Sequence, residues 1–129
     1  MLAIILAAGY GTRMYPLTEK IPKALLAVGN TTILDELVAK LQPPELEVQE
    51  IALVSNRRFA EAFRRWAASR PGPIPCTVLD DGSTSEENRL GSVGDLAFAI
   101  RREKIEDDLL VLGSDNLFDG DLADFTAFA

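Results

Sequence analysis

Apolar residues fall along this chain in two rhythms. Four short runs, Leu2–Ala7, Ile51–Ser55, Cys76–Leu79 and Leu109–Leu112, are hydrophobic without alternation. That is the pattern of strands buried on both faces of a parallel sheet. Between them the apolar positions recur at helical spacing. Ile33, Leu34, Leu37, Val38 and Leu41 form one stripe, preceded by Asn30, Thr31 and Thr32 as candidate N-caps. Phe59, Phe63, Trp66 and Ala67 form a second, with Arg57, Arg58, Glu61, Arg64 and Arg65 on its solvated face. Val93, Leu96, Ala97 and Ile100 form a third, and all three stripes are expected to be core. Pro43-Pro44 and Pro71-Gly72-Pro73 break the chain after the first two. The order β-α-β-α-β-α-β predicts an α/β fold, a parallel sheet with flanking helices joined by right-handed crossovers. In open parallel sheets ligands bind beyond the carboxyl ends of the strands. The ends after Ala7 and after Leu112 are the candidates.

Composition narrows the chemistry. The chain has 129 residues, no histidine and one cysteine. Ser-His-Asp and Cys-His catalysis and the usual zinc-enzyme sites are therefore excluded. Cys76 has no disulfide partner and lies in an apolar stretch, so a buried structural thiol in a reducing compartment is expected. A metal here would be held by oxygens, which suits a hard cation such as magnesium. Residues 1–70 carry 9 basic and 7 acidic side chains, whereas residues 71–129 carry 4 and 13, for a net charge of -7. That balance argues against a nucleic acid or an anionic membrane as partner. The N-terminal apolar run has no basic residue before it and is too short to span a bilayer, so a buried strand in a cytoplasmic protein is the expectation.

The loop after the first strand carries the sharpest signal. It reads Gly9-Tyr10-Gly11-Thr12-Arg13-Met14-Tyr15-Pro16-Leu17-Thr18, followed by Pro22-Lys23. A dinucleotide fingerprint would need glycine at Met14 and a helix running on through Pro16. A Walker loop would need a lysine-serine or lysine-threonine ending that is absent. The remaining reading is a different anion-binding loop, in which glycines allow close backbone approach and peptide N–H groups point at phosphate oxygens. Arg13 suits bidentate phosphate contact and Lys23 supplies a point charge. Two glycines and one arginine alone would read as a surface turn. Gly9, Gly11, Arg13, Pro16, Leu17, Pro22 and Lys23 together behind a buried strand are far more specific.

The run Leu6-Ala7-Ala8-Gly9-x-Gly11-Thr12-Arg13-Met14-x-Pro16-Leu17-Thr18-x-x-x-Pro22-Lys23-Ala24-Leu25 resembles the signature of the sugar-phosphate nucleotidyltransferases, the nucleoside-diphosphate-sugar pyrophosphorylases. Leu90-Gly91-Ser92-Val93-Gly94-Asp95-Leu96 is similar to the family's L-G-T-A-G-A-L loop, and Gly113-Ser114-Asp115-Asn116 to its G-D-N or G-D-x element. Ser92 replaces threonine, and Ser114 falls where many members have glycine. The resemblance implies a Rossmann-like, incomplete nucleotidyltransferase domain. Residues 1–129 would be its nucleotide-binding part, without the C-terminal sugar-binding part. It implies transfer of a nucleoside monophosphate from a nucleoside triphosphate to a sugar-1-phosphate, with release of pyrophosphate. Gly9, Gly11 and Thr12 would cradle the triphosphate, Arg13 would grip the leaving phosphates, and Lys23 would neutralise the reacting ones. Leu6, Ala8 and Gly91 would pack against ribose and base, with Asn88 among the polar residues able to read a base edge. A cytidylyltransferase acting on phosphocholine or another phospho-alcohol shares the signature. A non-catalytic nucleotide-sugar-binding regulatory module is the alternative from another class.

Asp115 follows the fourth strand and, by the resemblance, would bind Mg2+; on position alone, a capping or turn aspartate is an equal reading. Asp115, Asp119, Asp121 and Asp124 do not make a calcium loop, because Leu117 and Thr126 occupy ligand positions. Family catalytic domains are considerably longer than this chain. A truncated form is the favoured explanation, ahead of a natural short member, and exposed apolar surface with homo-oligomer formation is the expected consequence.

Overall fold

A strand that is apolar on both sides has no face to offer water and must be sandwiched between layers. A computed structural model of the chain describes residues 1–10, 20–70, 72–103 and 108–114. Its elements are β1 (Leu2–Leu6), β2 (Ala27–Val28), β3 (Thr31–Thr32), α1 (Ile33–Ala39), β4 (Glu50–Ser55), α2 (Ala60–Ser69), β5 (Cys76–Asp80), α3 (Gly91–Glu103) and β6 (Leu109–Gly113). The four predicted runs became β1, β4, β5 and β6. They form one parallel sheet in the order β5-β4-β1-β6.

The connections explain where a ligand would go. The chain steps outwards from β1 to β4 to β5, then returns across both to lay β6 on the far side of β1. Crossovers of one hand place helices on one face while the chain steps outwards, and on the other face when it steps back. Accordingly Leu34, Leu37 and Val38 of α1 and Phe63 of α2 pack with Ala3, Ile5, Ile51, Leu53 and Leu110. On the opposite face Ala99 of α3 packs with Ile4, Ala52, Val54 and Leu79. Between β1 and β6 the stepping direction reverses, which opens a crevice at their carboxyl ends.

Helix α1 has only seven residues and relies on its start. The Thr32 hydroxyl oxygen accepts the Asp35 backbone N–H at 3.0 Å and donates to the Asp35 carboxylate at 2.9 Å. The other Asp35 oxygen accepts the Trp66 indole N–H at 2.8 Å, tying α2 to α1. Thr32→Ala is expected to cost about 1 kcal/mol, read as an earlier urea midpoint at unchanged slope. No shift would mean that the Trp66 bond alone orients Asp35.

Two expectations need correction. The hairpin β2–β3, closed by Gly29 at a φ of 66° and Asn30, was not anticipated, because two-residue strands carry no period to read. Val93 is 83% exposed rather than core. Asp95 and Ala99 take the inward positions of α3, and Val93 lies about 200° around the helix from Asp95 at 3.6 residues per turn. Cys76 is half-buried against the core, and burial pushes its thiol up to about 11, so it stays protonated and unreactive at neutral pH. No helix among the described residues is long and apolar enough to cross a membrane.

Candidate functional site

Where parallel strands end, backbone groups lose their ladder and need other partners. The chain meets that need with buried polar side chains. Ser55, Asn56, Ser83 and Asp95 are the buried polar or charged residues among those described, and all follow or extend the carboxyl ends of β4 and β5 or stand in the first turns of α3. The Ala7 N–H donates to the Val54 carbonyl at 2.8 Å, and the Ser114 N–H to the Leu6 carbonyl at 3.2 Å. The loop after β1 therefore starts between its two neighbours. Asn56 fixes that loop: its Nδ2 donates to the Ala8 carbonyl at 3.0 Å and the Gly9 carbonyl at 3.5 Å, while its Oδ1 accepts the Phe59 N–H at 2.9 Å.

Tyr10 closes the other side. Its hydroxyl donates to the Ser83 carbonyl at 2.9 Å, and burial raises its pKa above the ordinary value. Ser83 in turn donates its N–H and hydroxyl to Asp81 Oδ1 at 2.8 and 2.7 Å.

These loops frame a cleft of about 120 Å³ lined by Leu6, Ala8, Gly9, Arg89, Gly91, Ser92 and Asp95. Whole small-molecule sites span roughly 300–1,000 Å³, so this cleft accommodates one moiety of a ligand. One wall is apolar strand end and glycine backbone. The other is the first turn of α3, where a helix leaves N–H groups without intrahelical partners. Gly91 turns the chain into that helix at a φ of 75°, a conformation that favours glycine. A Cβ on Gly94 would stand 2.9 Å from the Leu90 Cβ, so the tight entry requires glycine there as well.

Asp95 sits in the cleft wall, 5% exposed. Burial first, and then the neighbouring Asp81 carboxyl, push its pKa up to about 8. Asp95 Oδ1 and Asp81 Oδ2 are buried and have no hydrogen-bond partner.

Four sequence-predicted residues, Leu6, Ala8, Gly9 and Gly91, thus meet in one cleft although more than eighty positions separate the two segments. Asn88 is not part of the lining. Its Oδ1 accepts the Thr84 and Ser85 N–H groups and its Nδ2 donates to the Thr84 hydroxyl, each at 3.0 Å, bracing its own loop. Lys23 is also outside the lining, at the start of a 3-10 turn (Lys23–Leu25) that packs on α1. Gly11, Thr12, Arg13 and Asp115 lie outside the described residues. Among the described residues no group of three or more acidic, cysteine or histidine side chains is placed to hold a metal. Sequence reasoning missed Asn56, Tyr10, Ser83, Asp81 and Asp95. For Asn56, Tyr10, Ser83 and Asp81 the signal was position alone, polar residues just beyond the ends of apolar strands, whereas Asp95 lies inside α3 and gave none.

Comparison with known proteins gives this cleft a context. The model of a family described as nucleotidyl transferase matches residues 2–129. The bifunctional protein GlmU of Methanococcus aeolicus is 30% identical over 122 residues, covering 95% of this chain and 26% of that protein. The mannose-1-phosphate guanyltransferase of Debaryomyces hansenii is 33% identical over 132 residues, covering 97% of this chain and 34% of that one. A solved structure provisionally described as a glucose-1-phosphate thymidylyltransferase from Bacillus anthracis superposes with a TM-score of 0.71 at 22% identity, over 99% of this chain and 50% of that one. The chain thus spans between a quarter and about a third of the length of these two curated relatives.

Proposed function

Because the chain belongs to the nucleotidyl transferase family, over residues 2–129, we propose that it is the nucleotide-binding part of an enzyme that moves a nucleoside monophosphate from a nucleoside triphosphate to a sugar-1-phosphate, releasing pyrophosphate. The observation that carries this reading is the meeting of Leu6, Ala8 and Gly9 with Gly91 and Ser92 at the switch point of the sheet. A cleft that size fits a base or ribose, with the phosphates running out over the loop that follows Gly9.

The reaction needs no protein nucleophile. An oxygen of the sugar phosphate attacks the α-phosphorus in line, and the protein's work is positioning and charge neutralisation. A chain without histidine meets that demand. Backbone N–H groups of Gly9, Gly11 and Thr12 hold the triphosphate, Arg13 takes the phosphates that depart, and Lys23 draws charge from the two reacting phosphates. The chain has no histidine and one cysteine, so oxygen donors would hold any metal here. That donor chemistry fits Mg2+, which Asp115 would hold together with phosphate oxygens. When bound, the ion supplies further neutralisation of the phosphate charge.

Calorimetric titration of the chain with ATP, CTP, GTP, UTP and dTTP in the presence of magnesium tests the reading. Weak, one-to-one binding of one base above the others is expected, and Asp115→Ala is expected to blunt the magnesium dependence. Binding of none of the five would sink the proposal; an unaltered magnesium titration would return Asp115 to a turn or cap. Pyrophosphate release with glucose-1-phosphate against phosphocholine separates the sugar from the phospho-alcohol acceptor.

A further inference from the structure

Asp95 stands where the family motif carries alanine, and nothing in phosphate or base binding accounts for a carboxyl buried there. We propose that Asp95 is a positioning residue of the cleft: one proton held between its carboxyl and that of Asp81 latches the first turns of α3 to the loops that form the opposite wall. The inference rests on the nucleotide reading for its functional readout.

Asp95 Oδ1 and Asp81 Oδ2 are buried acceptors without a hydrogen-bond partner, and the Asp81 carboxyl is near enough to act on Asp95. Two carboxylates cannot hydrogen-bond without a proton between them, and a single proton satisfies both orphaned oxygens. The second Asp81 oxygen takes the Ser83 N–H and hydroxyl, and the Ser83 carbonyl takes the Tyr10 hydroxyl. Tyr10 directly follows Gly9 of the cleft lining. The chain Asp95, Asp81, Ser83, Tyr10 therefore runs from the wall made by Gly91 and Ser92 to the wall made by Ala8 and Gly9.

Other charged groups nearby do not replace the proton. Arg89 lines the same cleft, Asp80 at the end of β5 lies 3.5 Å from Arg57, and Arg58 with Asp80 acts on Tyr10. From β1, β4 and β5, the α3 face meets Ile4, Ala52, Val54 and Leu79, which are apolar. In the folded chain burial and the neighbouring Asp81 push the Asp95 pKa up to about 8, whereas an unfolded aspartate titrates near pH 4. The latch is closed below pH 8 and opens above it, as a second negative charge is forced between the walls.

The test is affinity for the best-binding of the five triphosphates as a function of pH. At pH 7 Asp95→Ala is expected to bind about tenfold more weakly, and Asp95→Asn, whose amide can donate to Asp81 at any pH, to recover to within about threefold of the original chain. From pH 7 to 9 the original chain is expected to lose about tenfold while Asp95→Asn holds steady. Parallel loss in both, or loss in neither, overturns the latch. Asp81→Asn, in which the amide sits on the other partner, should reproduce the flat profile if Asp95→Asn does not fold. If no triphosphate binds the original chain at pH 7, the nucleotide reading fails and melting decides the latch separately. The original chain should then lose melting temperature relative to Asp95→Asn steadily from pH 5 to 8, and a constant difference overturns the latch.

Discussion

Asn56→Ala is expected to destabilise the fold by about 3 kcal/mol and to weaken nucleotide binding with it. Asn56 is fully buried at the end of β4 and holds three backbone groups: the Ala8 carbonyl, the Gly9 carbonyl and the Phe59 N–H. Alanine removes all three bonds. Each buried group left unpaired costs about 1–3 kcal/mol. The Gly9 bond is long and only partly buried, so Ala8 and Phe59 dominate the sum. Domains of this size are stable by about 5–15 kcal/mol in all, which makes the loss a large share. A urea titration measures it directly. The substitution also frees the loop that starts at Ala8, so nucleotide affinity should fall even at temperatures where the chain stays folded. A loss under about 1 kcal/mol with unchanged affinity would show that the loop after β1 is held by Tyr10 and the strand ladder alone.

Lys23→Ala is expected to leave the fold intact and remove most turnover in an enzyme that carries this chain at its relatives' length. Lys23 is half-buried at the start of its 3-10 turn, and the turn is anchored by Ala24 and its own backbone bonds, not by the lysine head. Truncating the side chain should therefore move the melting temperature little. If its ammonium neutralises the reacting phosphates, losing one preorganised charge lowers the rate by about 10²–10³-fold. The assay is pyrophosphate release at saturating substrates. A retained rate would place the neutralising charge elsewhere, with Arg13 the next residue to examine, whereas a collapse of stability would make Lys23 a structural residue.

Much of the fold could be read before any coordinates because its strands are buried on both faces. An unbroken run such as Ile4–Ile5 or Ala52–Val54 has no face to offer water, and proline and glycine breaks separated the helices between them. Legibility failed where the deciding contact was tertiary. Thr31 and Thr32 read as caps, and only Thr32 is one, because pairing with Ala27 and β2 cannot be seen in two residues. Of the stripe read on α3, Leu96 packs against the core whereas Val93 faces solvent, and Asp95 and Ala99 take the buried positions. Asp95 faces inwards beside Asp81, from a loop fourteen positions earlier, a neighbour that no local pattern announces. The cleft followed the same rule. Leu6, Ala8, Gly9 and Gly91 could be placed from their motifs, but the polar frame around them could not. Asn56, Ser83 and Tyr10 act through backbone groups of other segments, and a backbone carbonyl leaves no mark in a sequence.

The strand order has a consequence for the time course of folding. β1 is made first, yet it is flanked in the finished sheet by β4 and by β6, and the Leu6–Gly113 pairing joins residues more than a hundred positions apart. Contacts of that separation form slowly, since a long stretch of chain must be closed before they return any energy. On a ribosome, β1 can zip to β4 while β6 is still unsynthesised. Among the described strands, the seam beside Leu6 is then the last to close, after every residue that lines the cleft has already been made.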